Sequence, residues 1–207
     1  MWPNKKNSGF TLLEILVALF IFSIIALIMT HALHSVFQSQ ERSDASAERL
    51  ANLQTATLFL TRDLSQALNR SIINSGGTIE PSFIGKTDNV TFTHGGNANP
   101  AGELNRSTLQ RVKYSFADKK LIRETWQVLD QISTSKSDRR QLLNKVDQPR
   151  FEYLDDKGKF SDTWPPANKG KSLPLPNAVK IFLTIPHWGT ITQIYVIPGK
   201  AFVTQQS

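Results

Sequence analysis

The longest apolar run of the sequence stands near its N-terminus. From Phe10 to Met29 there are twenty residues, of which only Thr11, Glu14 and Ser23 are polar. A helix of this length rises by about 1.5 Å per residue and therefore crosses roughly 30 Å of hydrocarbon. Two lysines and no acid precede the run. The pattern predicts a transmembrane helix with a cytoplasmic N-terminus, so that the rest of the chain lies on the far side of the membrane.

The helical pattern continues beyond this run. Between Gly9 and Gly76 the sequence contains neither glycine nor proline, which predicts one helix from Phe10 to about Ile73. A polar stretch, residues 38–48, is followed by apolar positions at steps of three and four. These positions are Leu50, Leu53, Thr57, Leu60, Leu64, Leu68 and Ile72. Such a stripe needs a sheet or a second helix to cover it, and a coiled coil is the alternative.

Short alternating segments separated by turn residues follow Gly76. The predicted strands are Thr78–Ile84, Val90–Thr93, Leu109–Phe116, Leu121–Leu129, Arg150–Leu154, Val179–Ile185 and Ile191–Ile197. The polar segment 131–140 is predicted to be a mobile loop, and the proline-rich segment 165–176 a crossing without regular structure. A long helix followed by about seven strands predicts an α+β fold, with antiparallel sheet packed on the second half of the helix.

Charge and composition exclude several classes of function. The 207 residues carry a formal charge of +7, with basic residues spread along the chain rather than gathered with aromatics. We therefore expect no nucleic-acid partner. The absence of cysteine excludes disulfides, cysteine-bound zinc and thiol catalysis.

Two simple interpretations of the N-terminal region, a signal peptide and a plain membrane anchor, do not fit the sequence. A secretory signal peptide would be cut after its apolar run, at small residues that this sequence does not offer there. A plain anchor would explain the run but not Glu14. The hexapeptide Gly9-Phe10-Thr11-Leu12-Leu13-Glu14 resembles the type IV prepilin motif of pilins and pseudopilins. That resemblance implies cleavage between Gly9 and Phe10 by a prepilin peptidase, N-methylation of Phe10, and pairing of Glu14 with a neighbouring subunit's N-terminus.

The C-terminal half indicates which branch of this superfamily the chain resembles. Segments 121–126, 164–165 and 175–179, with the closing strand pair, resemble the J-type minor pseudopilins of type II secretion (general secretion protein J). The resemblance implies a pilin-like fold and a role in the tip complex of the pseudopilus, which primes assembly and helps to export folded proteins across the outer membrane. A minor pilin of a type IV pilus, serving adhesion or DNA uptake, is the alternative.

The same resemblance implies location, partners and domain limits. The expected location is the bacterial inner membrane, with a single span and a periplasmic C-terminal domain. The partners would be I-type and K-type minor pseudopilins, other pseudopilins, the prepilin peptidase and, in some cases, exported cargo. The expected parts are a leader (1–9), a transmembrane helix (10–30), its periplasmic continuation (31–75) and a β-rich domain (76–207) packed on residues 48–75.

Other candidate chemistry is weak in this sequence. His31 and His34 are three apart on the helix, but a third metal ligand is lacking. His94 and His187 are single histidines in predicted loops. Three acids in and near one turn, Asp155, Asp156 and Asp162, lack the spacing of a calcium loop. We therefore predict no metal and no cofactor.

No catalytic motif is evident either, so we predict that the chain is not an enzyme. Large aromatic side chains are the remaining candidates for binding. Core packing is the default for Trp126, Trp188, Phe151 and Tyr153. Trp164, which two prolines follow directly, is predicted to be exposed or groove-lining and to contact a partner.

Overall fold

The computed structural model describes residues 11–96, 107–126, 128–130, 135–166, 175–186 and 188–198. The chain divides into two compact units, residues 1–50 and 51–207, and one helix, α1 (Leu12–Ser65), contributes to both. The strands are β1 (Ile72–Ile73), β2 (Ile79–Glu80), β3 (Phe83–Gly85), β4 (Asn89–His94), β5 (Gln110–Ala117), β6 (Lys120–Trp126), β7 (Ser137–Leu143), β8 (Asp147–Leu154), β9 (Phe160–Ser161), β10 (Ala178–Ile185) and β11 (Gly189–Val196). The predicted α+β class is confirmed.

In the first unit, α1 is apolar from Leu12 to Phe37, and this part of its surface is exposed. Every large apolar side chain from Leu12 to Phe37 is 42–79% exposed. The Ser23 hydroxyl donates to the carbonyl of Leu19 at 2.8 Å, so this polar group is satisfied within its own helix. By length and composition the segment can cross a membrane.

The larger sheet of the second unit is antiparallel, with strand order β3-β4-β5-β6-β7. Its β5–β6 hairpin has the predicted position. Asp118 and Lys119 at the tip have φ of 51° and 57°, two left-handed residues in a row as in a type I′ turn. The Lys119 amino group lies 2.8 Å from the Asp147 carboxylate, and the Lys119 carbonyl accepts the Val146 N–H at 2.8 Å. These contacts fix the tip of the hairpin.

The smaller sheet has strand order β11-β10-β8-β9 and is also antiparallel. The predicted closing hairpin is β10–β11, with continuous pairing from Ala178 opposite Val196 to Ile185 opposite Gly189. In β10, buried positions alternate with half-buried ones from Val179 onward, which is the pattern of a strand with one face in the core.

Strand β8 joins the two sheets. The Phe151 N–H donates to the carbonyl of Thr87 at 2.8 Å, and the Tyr153 hydroxyl donates to the carbonyl of Lys86 at 2.8 Å. The Tyr153 ring packs against the backbone of Gly85, where a Cβ would lie 2.2 Å from the ring carbon Cζ. Only glycine fits at position 85 beside this ring.

One hydrophobic core fills the second unit. Its members come from the end of α1 and from both sheets. The helix contributes Ala56, Leu60 and Leu64, all at most 2% exposed. The apolar stripe predicted from periodicity therefore packs against a sheet, as expected, and not against a second helix. It is buried only over this part of its length.

The helix ends earlier than predicted. It stops at Ser65, whereas the sequence predicted a helix to about Ile73, with a limit at residue 75. After Ser65 the backbone pairs with the end of β4: the Leu68 N–H donates to Thr93 at 2.9 Å, and Gln66 accepts from Gly95 at 3.0 Å. Residues 69–75 also have low helix propensity. The last expected member of the helical stripe, Ile72, is a buried strand residue.

The segment 131–140 also differs from its prediction. Residues 137–140 belong to β7 rather than to a mobile loop, and residues 131–134 lie outside the described part of the chain. Strand β7 pairs with β6, with Arg139 opposite Glu124 and Arg140 opposite Arg123. It lies at the sheet edge with its first five residues exposed. A solvated edge strand carries no hydrophobic alternation, so the pattern could not indicate it.

Candidate functional site

Glu14 lies in the first turn of α1, and its carboxylate is engaged locally. The Glu14 Oε2 atom accepts the Thr11 N–H at 2.9 Å and the Thr11 hydroxyl at 3.1 Å. In return the Glu14 N–H donates to the Thr11 hydroxyl oxygen at 3.3 Å. This reciprocal pair is a capping box that fixes the helix start and the acid's position on it.

The surroundings of Glu14 are otherwise apolar. The next residues of the same helix, Leu13, Ile15 and Leu16, are all more than half exposed. Within the described residues no basic side chain forms an ion pair with Glu14, whereas other acids of the chain do so. Gly9 and Phe10, the predicted processing residues, lie outside the described residues.

Trp164 is not where the sequence predicted it. Its side chain is 3% exposed and belongs to the core cluster. Its backbone pairs in both directions with Gly85, at 2.9 and 2.8 Å, which holds this segment against β3. The expectation that Trp164 is exposed or groove-lining is therefore wrong, because its large apolar area is buried within its own domain. Its contact with a partner stays a prediction.

The candidate metal residues do not come together. The Asp155 Oδ1 atom accepts the backbone N–H groups of Lys157 and Lys159, each at 2.9 Å, so it stabilises its own turn. His31 and His34 are exposed on α1. No group of three or more histidine, aspartate, glutamate or cysteine side chains is placed to hold a metal ion in the described ranges.

A buried polar cluster, missed in the sequence, ties α1 to the larger sheet. Asp63 is 1% exposed. Its Oδ2 atom accepts the Tyr114 hydroxyl and the Arg123 Nε–H, each at 2.7 Å. Arg123 also lies over the Phe59 ring at 5.0 Å. Burial is the largest single effect on the pKa of Arg123 and lowers it. The combined effects of Asp63 and Tyr114 outweigh burial and raise that pKa, so Arg123 and Asp63 form an ion pair.

His94 completes this cluster and is not the loop residue that was predicted. It ends β4 and is 4% exposed. Its Nδ1 atom lies 2.7 Å from the carbonyl oxygen of Gly95 and 4.0 Å from Asp63 Oδ1. Burial lowers the pKa of His94 more than the Asp63 charge raises it. The imidazole is therefore neutral at pH 7, and its contact with Asp63 is not an ion pair.

Two sequence signals point to this cluster in hindsight. Asp63 interrupts the apolar stripe three residues after Leu60, so its carboxylate faces the core. The two-residue turn at Asp118 and Lys119 fixes the hairpin register, which places Tyr114 opposite Arg123. His94 gave no such signal, because the position of a strand end against α1 depends on tertiary packing.

Two family models match the sequence in adjoining ranges. The model described as "Type II secretion system (T2SS), protein J" matches residues 31–197. The model described as "Prokaryotic N-terminal methylation motif" matches residues 4–30, a range that contains the predicted cleavage position and Glu14. These matches favour the secretion pseudopilus over the type IV pilus.

Individual relatives agree with the family models. Type II secretion system protein J of Escherichia coli is 29% identical over 203 residues, which cover 95% of this chain and 98% of that protein. The Vibrio cholerae protein of the same name is 28% identical over 223 residues, covering 100% of this chain and 98% of that protein.

A solved structure resembles the fold. A chain of the GspK-GspI-GspJ complex from enterotoxigenic Escherichia coli superposes with a TM-score of 0.63 at 28% identity, covering 72% of this chain and 97% of that chain. With a family model matching most of its length, this chain belongs to the type II secretion system protein J family, and it is a minor pseudopilin anchored in the inner membrane by its N-terminal helix, with a periplasmic domain.

Proposed function

We propose that this chain joins I-type and K-type pseudopilins in the tip complex of the pseudopilus, and that Glu14 holds it there. The complex primes pseudopilus assembly and helps to export folded proteins. The observation that carries the proposal is the surroundings of Glu14: one carboxylate, held by a capping box, on a helix whose apolar surface is uncovered. The E. coli structure, which contains all three pseudopilin types, supports the partners.

Processing creates the cation that Glu14 requires. Cleavage after Gly9 by the prepilin peptidase releases a new amine on Phe10, and N-methylation leaves that amine able to carry a proton and its positive charge. A neighbouring subunit that is offset by four residues, about 6 Å along the helix axis, places this amine at the membrane depth of Glu14 of the incoming chain. A carboxylate left unpaired in hydrocarbon costs a few kcal/mol, so pairing favours one alignment of the two helices.

The charge pair determines the relative position of the two subunits more than it raises their affinity. An ion pair in a low-dielectric medium requires both partners to be present, and removing one leaves the other charge unpaired. A subunit displaced by one helical turn, about 5.4 Å, would separate the two charges. We infer that Glu14 favours the one offset between subunits that pairs the two charges and disfavours all others.

The rest of the chain supplies shape rather than catalysis. Three described residues with shifted pKa values, Tyr114, His94 and Arg123, are buried in the cluster that joins α1 to the sheet, where they serve the packing of the domain. We propose that the chain is a structural subunit and not an enzyme, and that energy for export comes from another component.

The experiment compares two polar residues of the same apolar run. Glu14→Leu and Ser23→Leu are each expressed as the full chain with I-type and K-type partners, and co-purification and secretion are measured. Glu14→Leu should lose co-purification at least about tenfold, the equivalent of about 1.4 kcal/mol. Ser23→Leu should behave as the unmodified chain, since its hydroxyl is satisfied within the helix. Normal assembly of Glu14→Leu would refute the proposal.

A further inference from the structure

Among the residues that the structure describes, the two large sheets end in four edge strands, and one of these strands lacks the usual protection. Strands β3 and β9 contain only three and two residues. Strand β7 carries three charged residues in a row, Asp138, Arg139 and Arg140. Strand β11 contains eight residues and no charged one, and it pairs with β10 without a register shift. Proteins usually protect edges by shortness, charge, proline or bulges, and β11 uses none of these.

The pairing of β10 with β11 identifies the free backbone groups. The Ile197 N–H donates to the carbonyl of Asn177, so this pair is hydrogen-bonded. In an antiparallel ladder hydrogen-bonded and non-hydrogen-bonded pairs alternate. Tyr195 and Gln193 therefore bond to β10. The N–H and C=O groups of the alternate residues point away from β10, to the open edge. Those residues are Thr190, Thr192, Ile194 and Val196.

The side chains beside this edge differ on its two sides. On the outer face Ile194 and Val196 are 56% and 69% exposed. On the inner face a groove of about 330 Å³ separates residues 193–196 of β11 from hydroxyl residues of α1. The hydroxyl residues of this groove are Thr57, Thr61 and Ser65. The Tyr195 hydroxyl donates to the side-chain oxygen of Gln193 on the same strand, and burial raises the pKa of this phenol to about 12.

We propose that β11 binds an extended segment of a neighbouring pseudopilin, which adds one antiparallel or parallel strand to the smaller sheet. Four alternate residues of β11 supply the backbone donors and acceptors. The segment would place apolar side chains over Ile194 and Val196 and small polar side chains toward the hydroxyls of α1. Strand addition of this kind obtains its affinity from main-chain hydrogen bonds and its specificity from the alternate side chains.

The inference rests on the proposed function for the choice of a pseudopilin as the occupant. Subunits whose N-terminal helices share a membrane and pair through Glu14 keep their domains at high effective concentration. A contact of modest strength is then sufficient. The groove is lined by α1, the helix whose first turn carries Glu14.

The test removes one edge donor and leaves the internal ladder intact. Ile194→Pro removes an N–H that points to the open edge, and proline is tolerated on edge strands where its missing donor faces solvent. Ile194→Ala is the matched control, because it removes the same side chain but keeps the N–H. A photo-reactive amino acid at position 192 of the full chain reports the neighbour, in membranes that contain the I-type and K-type partners.

We expect a cross-link from position 192 to a pseudopilin partner. Ile194→Pro should weaken it roughly tenfold, because the donor is lost and the ring projects into the partner strand. Ile194→Ala should change it by less than about threefold, since the main-chain donor remains. A cross-link unchanged by proline would overturn the inference. So would cross-linking only to a second copy of this chain, to an exported protein or to residues 199–207 of the same chain.

A second variant keeps the test decisive if proline disturbs the domain. Ile194→Lys keeps every backbone group and places a charge at the edge, as natural edge strands do, and it should weaken the cross-link similarly. Glu14→Leu separates the two proposals. If Glu14→Leu prevents co-assembly and both Ile194 variants do not, strand addition is wrong and the proposed function stands. If none of them affects assembly, the proposed function itself fails.

Discussion

The two ends of α1 hold an acid in opposite surroundings. Glu14 stands in an exposed apolar segment and accepts hydrogen bonds from its own capping residue, Thr11. Asp63, forty-nine residues later on the same helix, is buried and accepts hydrogen bonds from Tyr114 and Arg123 of the sheet. Among the residues described, the chain itself supplies a cation to only one of these two acids.

This difference separates an intramolecular role from an intermolecular one. A buried carboxylate with two donors and one cation contributes to folding, and its removal leaves its partners unsatisfied. A carboxylate on an uncovered apolar helix has no such role within the domain. The unfavourable free energy of this carboxylate in hydrocarbon is offset only when another chain provides a positive charge. Substitutions at the two acids and in the core of the second unit distinguish these roles.

Replacing Asp63 should damage folding most. In Asp63→Ala the Arg123 guanidinium and the Tyr114 hydroxyl stay buried without their acceptor, and we expect a loss of about 3 kcal/mol in the free energy of unfolding. Urea unfolding of the full chain in detergent measures it. Glu14→Ala is the control and should change the free energy by less than about 0.5 kcal/mol. Equal losses in both variants would remove the distinction between the two acids.

Close packing in the second unit is tested at Gly85. In Gly85→Ala the new Cβ would lie 2.2 Å from the Tyr153 ring, so β3 and β8 must separate, and we expect a loss of about 2 kcal/mol. Gly76→Ala is the matched control. Its nearest neighbour would be the Asn74 side chain at 3.4 Å, and its stability should be nearly unchanged. A tolerated alanine at position 85 would contradict the described junction between the sheets.

The sequence predicted the strands that have one apolar and one polar face. The predicted bounds of both hairpins, β5–β6 and β10–β11, lie close to the observed ones, because alternation and turn residues are local signals. The helix end at Ser65 and the polar edge strand β7 were not found, because both depend on pairing with distant strands. Likewise Glu14 could be identified from its motif, whereas the burial of Trp164 and His94 depends on how β3, β4 and α1 pack.

The buried histidine predicts a pH dependence of folding in the second unit. Burial lowers the pKa of His94 in the folded state, while an unfolded histidine titrates near 6.5. The unfolded chain therefore binds the proton more readily. The contribution of the neutral His94 ring to the free energy of unfolding is complete above about pH 6.5. It is lost as the pH falls toward the folded-state pKa, by at most about 1.4 kcal/mol per pH unit. Charged groups around the ring are Asp63 and Arg62 of α1 and Arg123 of β6.

Unfolding of the full chain between pH 7 and pH 5 measures this effect. His94→Gln removes the titrating ring and should flatten the dependence over that interval. An unchanged slope in His94→Gln would assign the dependence to other groups.

The most direct measurement follows folding and assembly together in two isosteric variants, Glu14→Gln and Asp63→Asn. Each is made in the full chain with its I-type and K-type partners, and both the urea midpoint and the co-purified fraction are recorded. We predict that Glu14→Gln keeps the midpoint and loses co-purification, whereas Asp63→Asn lowers the midpoint and, under folding conditions, keeps its partners. A Glu14→Gln chain that co-purifies like the unmodified chain would contradict the assignment of Glu14 to assembly.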